Sequence, residues 1–136
     1  LSSISGKTDS ELFFFFLLAN IQKAGGDLKA EENDENLVRD ALQKSIEEVR
    51  KMGGENSTLN TLLTNGKKLW GSRVGRPLFF IKGSEYTCTC GEVDRSPFSI
   101  TIATEKLTSE KNWKSFSDNS VFVAHPFPAY ISVKEI

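Results

Sequence analysis

Residues 6–19 read G-K-T-D-S-E-L-F-F-F-F-L-L-A, a polar hexapeptide running straight into eight apolar residues. Thr8 followed three residues later by Glu11 is a capping box. The threonine hydroxyl accepts from a backbone N–H near the third helical position, while the glutamate reaches back. A helix is therefore predicted to start at Asp9. Its body, E-L-F-F-F-F-L-L-A-N-I-Q-K, is apolar on nearly every face, so it is expected to pack on more than one side, with Phe13 to Phe16 read as core. Gly25 and Gly26 stop it.

Working outward, K-A-E-E-N-D-E-N reads as a solvated linker. From about Asp34 the residues Leu37, Val38, Ala41, Leu42, Ile46, Val49 and Met52 recur at three- and four-residue steps, which predicts an amphipathic helix ending at Gly53-Gly54. Two antiparallel helices are expected. After Gly54 the period changes to two. S-T-L-N-T-L-L-T reads as a strand, Asn65-Gly66 as a two-residue hairpin turn and K-K-L-W-G-S-R as the returning strand. P-L-F-F-I-K is a third strand, E-Y-T-C-T-C a candidate fourth, and S-I-T-I-A-T-E alternates cleanly. S-V-F-V-A-H and A-Y-I-S-V-K-E close the chain. Helices first and strands after make an α+β class over 1–136 as a single domain, the helical pair packed on a largely antiparallel sheet.

Composition narrows the function classes. With 17 basic and 18 acidic residues mixed along the chain, the net charge is −1, and no basic stripe points to nucleic acid or an anionic membrane. The longest apolar run, Leu12 to Ala19, is far short of the roughly 20 residues that cross a bilayer. The opening L-S-S-I-S-G lacks a basic n-region and an apolar h-region, so it does not read as an intact signal peptide, although a processed chain would look the same. A soluble protein, cytoplasmic or secreted, is expected.

Cys88 and Cys90 lie two apart in C-T-C. A bridge between them would strain an extended backbone, which leaves free thiols in a reducing compartment or an inter-chain bridge in an oxidising one. A zinc site needs four ligands, and the single histidine, His125, has no second histidine or cysteine pair with it, so no metal site is expected. The sequon N-S-T at Asn56 would matter only in a secreted protein. H-P-F-P around His125 reads as a rigid turn rather than half of a cysteine–histidine pair, and Ser2, Ser3 and Ser5 read as a leader rather than nucleophiles.

Three segments, in order, carry a family resemblance. G-K-T-D-S-E resembles the G-x-T-D-[ST]-E segment of class II glutamine amidotransferases, N-terminal-nucleophile enzymes that release ammonia from glutamine or hydrolyse related γ-glutamyl amides. L-N-T-L-L-T-N-G-K-K-L-W-G-S-R is similar to that family's N-x-L-L-T-D-G-x-x-L-x-x-S-R hairpin. I-T-I-A-T-E-K-L-T, then Trp113, then D-N-S-V-F-V resembles its V-I-A-S-E-P-L-T…W…V-P-x-N-S segment. The likeness is to the small stand-alone members, of the kind found in ergothioneine synthesis and fungal glutathione breakdown.

The resemblance implies an αββα sandwich of the N-terminal-nucleophile type, of which this chain is the C-terminal part. It also implies that the nucleophilic cysteine, a substrate-binding arginine and the oxyanion-stabilising Asn-Gly lie on roughly a hundred preceding residues, and that no cofactor is needed. Such a nucleophile uses its own α-amine as general base and must be residue 1 of its chain, and residue 1 here is Leu1. The site residue carried over is Asp9, whose counterpart accepts hydrogen bonds from the α-ammonium of glutamine. A carboxylate suits that role because an ammonium pairs best with a charged acceptor. Without the resemblance, Asp9 would simply favour the positive end of a helix dipole, worth about 0.3–1 kcal/mol when exposed. Arg73, Trp70 and Trp113 are expected to be structural. The leading expectation is one chain of a processed, two-chain amidotransferase-like protein, a heterodimer with a second polypeptide carrying the N-terminal half and a glutamine-like small molecule as ligand. The alternative is a catalytically inactive relative, a pseudoenzyme acting as a secreted, lectin-like binding protein.

Overall fold

Helix α1 spans Asp9–Lys23 and begins where the capping motif places it. In the computed structural model, which describes residues 8–54, 57–83, 85–87, 93–95 and 99–136, Thr8 is extended and its hydroxyl accepts from the Glu11 N–H at 3.3 Å. The helix closes at Ala24. Gly25 takes a φ of +93°, a left-handed conformation that glycine adopts without steric cost, and the Gly26 N–H turns back to the Ile21 carbonyl at 2.9 Å. Helix α2 spans Glu35–Val49, capped by Asp34, whose Oδ1 accepts from the N–H groups of Asn36 and Leu37 at 2.9 and 3.0 Å.

The two helices pack against each other. Buried Asn20 on α1 donates through Nδ2 to Ser45 Oγ at 2.9 Å and to Glu48 Oε2 at 3.2 Å, and Ser45 Oγ donates to the Ala41 carbonyl one turn back. Val38, Ala41, Leu42 and Ile46 form the buried stripe that the spacing predicts. Met52 departs from that stripe and is 71% exposed, because beyond Val49 the chain continues as a π-helical turn, Arg50–Gly54, whose wider winding rotates side chains off the face. Helix α1 departs further. It fully buries only Leu17, Asn20 and Ile21, while Leu12 and Phe14 are exposed and Phe13, Phe15 and Phe16 are half-buried. The expected packing on several sides, with Phe13 to Phe16 as core, is not found among the described residues. One helix covers a single stripe of its neighbour, not its circumference.

The chain divides into two compact units, Leu1–Ser57 and Thr58–Ile136. In the second, the described residues form nine strands: β1 Thr61–Thr64, β2 Leu69–Arg73, β3 Phe79–Lys82, β4 Glu85–Thr87, β5 Val93–Arg95, β6 Ile100–Ala103, β7 Lys114–Ser115, β8 Ser120–His125 and β9 Tyr130–Glu135. The sequence pattern did not mark β5 or β7, which are three and two residues long. Pairing is antiparallel throughout, in a four-stranded sheet β1-β2-β8-β9, a three-stranded sheet β6-β3-β7 and a ribbon β4-β5. Periodicity alone pointed to one sheet. Two main sheets form instead, as the sandwich resemblance implied.

The core of this unit lies between them. Leu78, Phe116 and Phe122 are buried, with Leu69 and Ile131 of the four-stranded sheet and Phe80 and Ile102 of the three-stranded sheet packed against them. The Phe116 and Phe122 rings stack at 4.0 Å, and Phe80 meets Phe116 at 4.7 Å. Each such ring contributes about 1.5–3 kcal/mol by leaving water. Strand β8, central in its sheet, is buried at all six residues, which explains why S-V-F-V-A-H reads as an almost continuous apolar run. No helix among the described residues is long and apolar enough to cross a membrane.

Candidate functional site

Asp9 is the first residue of α1, and its position follows from the cap. With Thr8 held extended by its bond to Glu11, the next side chain leaves the helix at its N-terminal end, where unpaired N–H groups and the helix dipole favour a negative charge. The carboxylate is exposed. Its Oδ1 accepts from the Ser10 N–H at 2.8 Å and, at 3.5 Å, from Ser10 Oγ. A carboxylate has about four acceptor positions, so these bonds leave capacity for a ligand ammonium. T-D-S-E thus works locally as a unit, with Thr8 capping the start of the helix, Ser10 steadying the carboxylate and Asp9 presented outward.

The polar residues of the hairpin segment hold structure. Asn60 accepts from the Val74 N–H at 2.9 Å and donates to the carbonyls of Arg76 and Pro77, pinning the β2–β3 connection. Ser72 Oγ donates to the Leu59 carbonyl and shares a 2.6 Å hydrogen bond with Thr61 Oγ1. Arg73, at the end of β2, donates through Nε to the Arg76 carbonyl and through Nη1 to Ser115 Oγ and the Phe116 carbonyl. It therefore ties the end of β2 in one sheet to β7 of the other. The turn in D-N-S is built the same way, with Asp118 Oδ1 accepting from Gly75 and Asn119 N–H groups.

The tryptophans are buried as expected, Trp70 at 3% and Trp113 at 7% exposure, with Trp113 Nε1 donating to Thr108 Oγ1 at 2.9 Å. His125 ends β8 with its ring stacked on Tyr130 at 4.2 Å, and residues 126–129 turn the chain into β9. Ser2, Ser3, Ser5, Asn56, Cys88 and Cys90 lie outside the described residues. The N-G turn is longer than predicted. Strand β1 ends at Thr64 and β2 begins at Leu69, so four residues connect them, and Asn65 Oδ1 caps the loop by accepting from the Lys67 and Lys68 N–H groups. That loop borders a cleft of about 430 Å³ at one end of the sandwich, lined by residues whose sequence pattern marks only strand and turn.

The helical pair and the two antiparallel sheets make an α+β sandwich segment, and the comparisons supply its family. The family profile "Glutamine amidotransferases class-II" matches residues 3–126, and the chain belongs to that family. It is 31% identical to the probable glutamine amidotransferase DUG3 of Saccharomyces cerevisiae, over 89% of this chain and 41% of that protein. It shares its fold with the crystal structure of a predicted glutamine amidotransferase from Pseudomonas aeruginosa, at a TM-score of 0.63 and 20% identity, covering 92% of this chain and 51% of that one. The chain thus spans about half or less of the length of these relatives.

Proposed function

We propose that residues 1–136 form the C-terminal part of a two-chain amidotransferase-like protein, in which a second, docked polypeptide supplies the nucleophile-bearing half and Asp9 binds the α-ammonium of a glutamine-like substrate. The observation that carries this reading is the family match over residues 3–126, which includes the T-D-S-E segment with Asp9. The half-open apolar surface of α1 fits a fold with more to pack.

In this reading the partner begins with cysteine. Its free α-amine takes the thiol proton, and the thiolate attacks the γ-carboxamide carbon. Backbone and asparagine N–H groups stabilise the oxyanion, ammonia leaves, and water hydrolyses the resulting γ-glutamyl thioester. Asp9 holds the other end of the substrate. Its charge-assisted bond to the ammonium orients the amide for attack and selects for a free α-amine.

Two measurements test this. Intact mass and N-terminal sequencing of native material are expected to give two chains, one that carries this sequence and a second that begins with cysteine. A single chain would refute the two-chain arrangement, and a partner without N-terminal cysteine would refute hydrolysis. In calorimetric titration with glutamine, Asp9→Asn is expected to weaken binding at least about tenfold, the scale of losing one hydrogen bond to a charged group. Equal binding by the two proteins, or none by either, would remove the ligand role.

A further inference from the structure

Between β3 and β7 of the three-stranded sheet and β9 of the four-stranded sheet lies a second cleft, of about 600 Å³, within the size range of ligand pockets. Its two walls differ in chemistry. Alternation places Phe80 and Lys82 on the same face of β3, and the pairing of Phe80 with Lys114 puts Lys114 on that face too. The face looks inward, since the Phe80 ring packs at 4.7 Å against Phe116 in the core. Two lysines therefore border the intersheet space, on a diagonal of about 7–8 Å in sheet geometry. Ile131 and Val133 of β9 form the opposite, apolar wall.

A third lysine, Lys111, and Asn112 enter from the turn before β7. That turn is anchored by buried Trp113, whose indole N–H donates to Thr108 Oγ1, so its backbone is fixed before anything binds. Thr108 Oγ1 in turn donates to Glu110 Oε2 at 2.9 Å, which engages the carboxylate next to Lys111 in sequence. No carboxylate is among the described lining residues, and Lys82, Lys111 and Lys114 make no hydrogen bond or ion pair with a described residue. Three positive charges thus share one concavity with no counter-charge among the described residues. Like charges close together on a sheet are unfavourable, and an anion between them removes that cost.

We propose that this cleft binds a phosphate monoester with a compact apolar body. The phosphate lies among Lys82, Lys111 and Lys114, with the Asn112 amide as a further donor, and the ester group lies against Phe80, Ile131 and Val133. A phosphate monoester carries a charge of about −1.5 to −2 at neutral pH and three acceptor oxygens, which matches three ammonium groups better than the single charge of a carboxylate does. The apolar wall favours the ester over free phosphate by burial. None of this rests on the role proposed for Asp9.

The test uses the intact protein that carries this chain, with three probes: 2-naphthyl phosphate, 2-naphthoate, which keeps the body and carries one charge, and inorganic phosphate, which lacks the body. Amide NMR titration with naphthyl phosphate is expected to centre shifts on residues 80–82, 111–114 and 131–133. Naphthyl phosphate is expected to bind about fivefold tighter than naphthoate, the scale of one more exposed charge pair, and tighter than inorganic phosphate. Lys82→Gln/Lys114→Gln should bring the phosphate-to-carboxylate ratio to about one, with dispersion of the amide spectrum confirming that the variant is folded. Lys67→Gln/Lys68→Gln, which removes the same charge elsewhere on the surface, should leave the ratio at its wild-type value. No binding by the wild-type protein, shifts centred elsewhere, equal affinity for naphthyl phosphate and either other probe, or a phosphate preference that survives loss of Lys82 and Lys114 would each overturn the assignment.

Discussion

Gly71, in the middle of β2, is where the sandwich core leaves no room for a side chain. It pairs with Phe122 of β8 on one side and Leu62 of β1 on the other. A Cβ at this position would overlap Phe122 Cζ, and would lie 2.9 Å from Phe122 Cε1 and 2.7 Å from the Thr61 carbonyl oxygen. The ring cannot easily move aside. Phe122 is 0% exposed and stacked on Phe116, so relief requires repacking three aromatic residues or spreading β1 from β2. Overpacking of this kind costs about 1–3 kcal/mol. Alanine also restricts the unfolded chain more than glycine, which returns about 0.4–1 kcal/mol. Gly71→Ala is therefore expected to destabilise by about 1–2 kcal/mol, or roughly 4–16 °C in Tm for a unit of this size.

Equilibrium denaturation of Gly71→Ala, Phe122→Leu and the double variant forms the assay. The shorter leucine gives the new methyl space, so the double variant should be more stable than the sum of the single losses by at least about 0.5 kcal/mol. Gly66→Ala is the control. A Cβ there meets nothing within 4 Å, but φ is +85°, so its cost of about 1–2 kcal/mol comes from the backbone and should not couple to Phe122. A neutral Gly71→Ala, or strict additivity with Phe122→Leu, would refute the packing argument.

Asp34→Ala removes a cap that accepts two backbone N–H groups, and should cost about 1 kcal/mol in chemical denaturation, whereas Thr8→Ala, which loses a single 3.3 Å bond, should cost less. Arg73→Ala should cost about 1 kcal/mol, the net worth of a lost hydrogen bond, because the Phe116 carbonyl loses its guanidinium donor but keeps the Ser115 hydroxyl. Arg73→Lys should recover only part of that in the same assay, since an ammonium cannot span partners at Arg76, Ser115 and Phe116 as a planar fork does. Asn20→Asp should lower Tm more than Asn20→Ala, because it replaces the donor that faces Glu48 with a second carboxylate.

Local chemistry was legible in the residues, and long-range chemistry was not. The start of α1 could be read because Thr8 and Glu11 are three residues apart, and its end because Gly25 must turn left-handed. Most strands could be placed for the same reason, by alternation and by the turn residues at their ends. The length of the β1–β2 loop could not, since Asn65 caps a four-residue loop as readily as it would enter a two-residue turn. Nor could the role of Arg73, whose partners Ser115 and Phe116 lie more than forty positions away. At Asp9 the sequence located the carboxylate, and the use proposed for it comes from the family resemblance alone. The cleft beside Lys67 and Lys68 left no local trace, because its walls come from four separate strands.

By itself, then, the sequence determined the α+β order, the caps and the family, because each rests on residues within a turn or a motif of one another. The tertiary structure decided how strands divide between two sheets, which residues of α1 are buried and why Gly71 has no side chain. Those outcomes depend on pairings such as β2 with β8, about fifty residues apart, and on which surfaces find a partner. Hydrophobic periodicity says that a face will be buried, but only packing fixes what covers it.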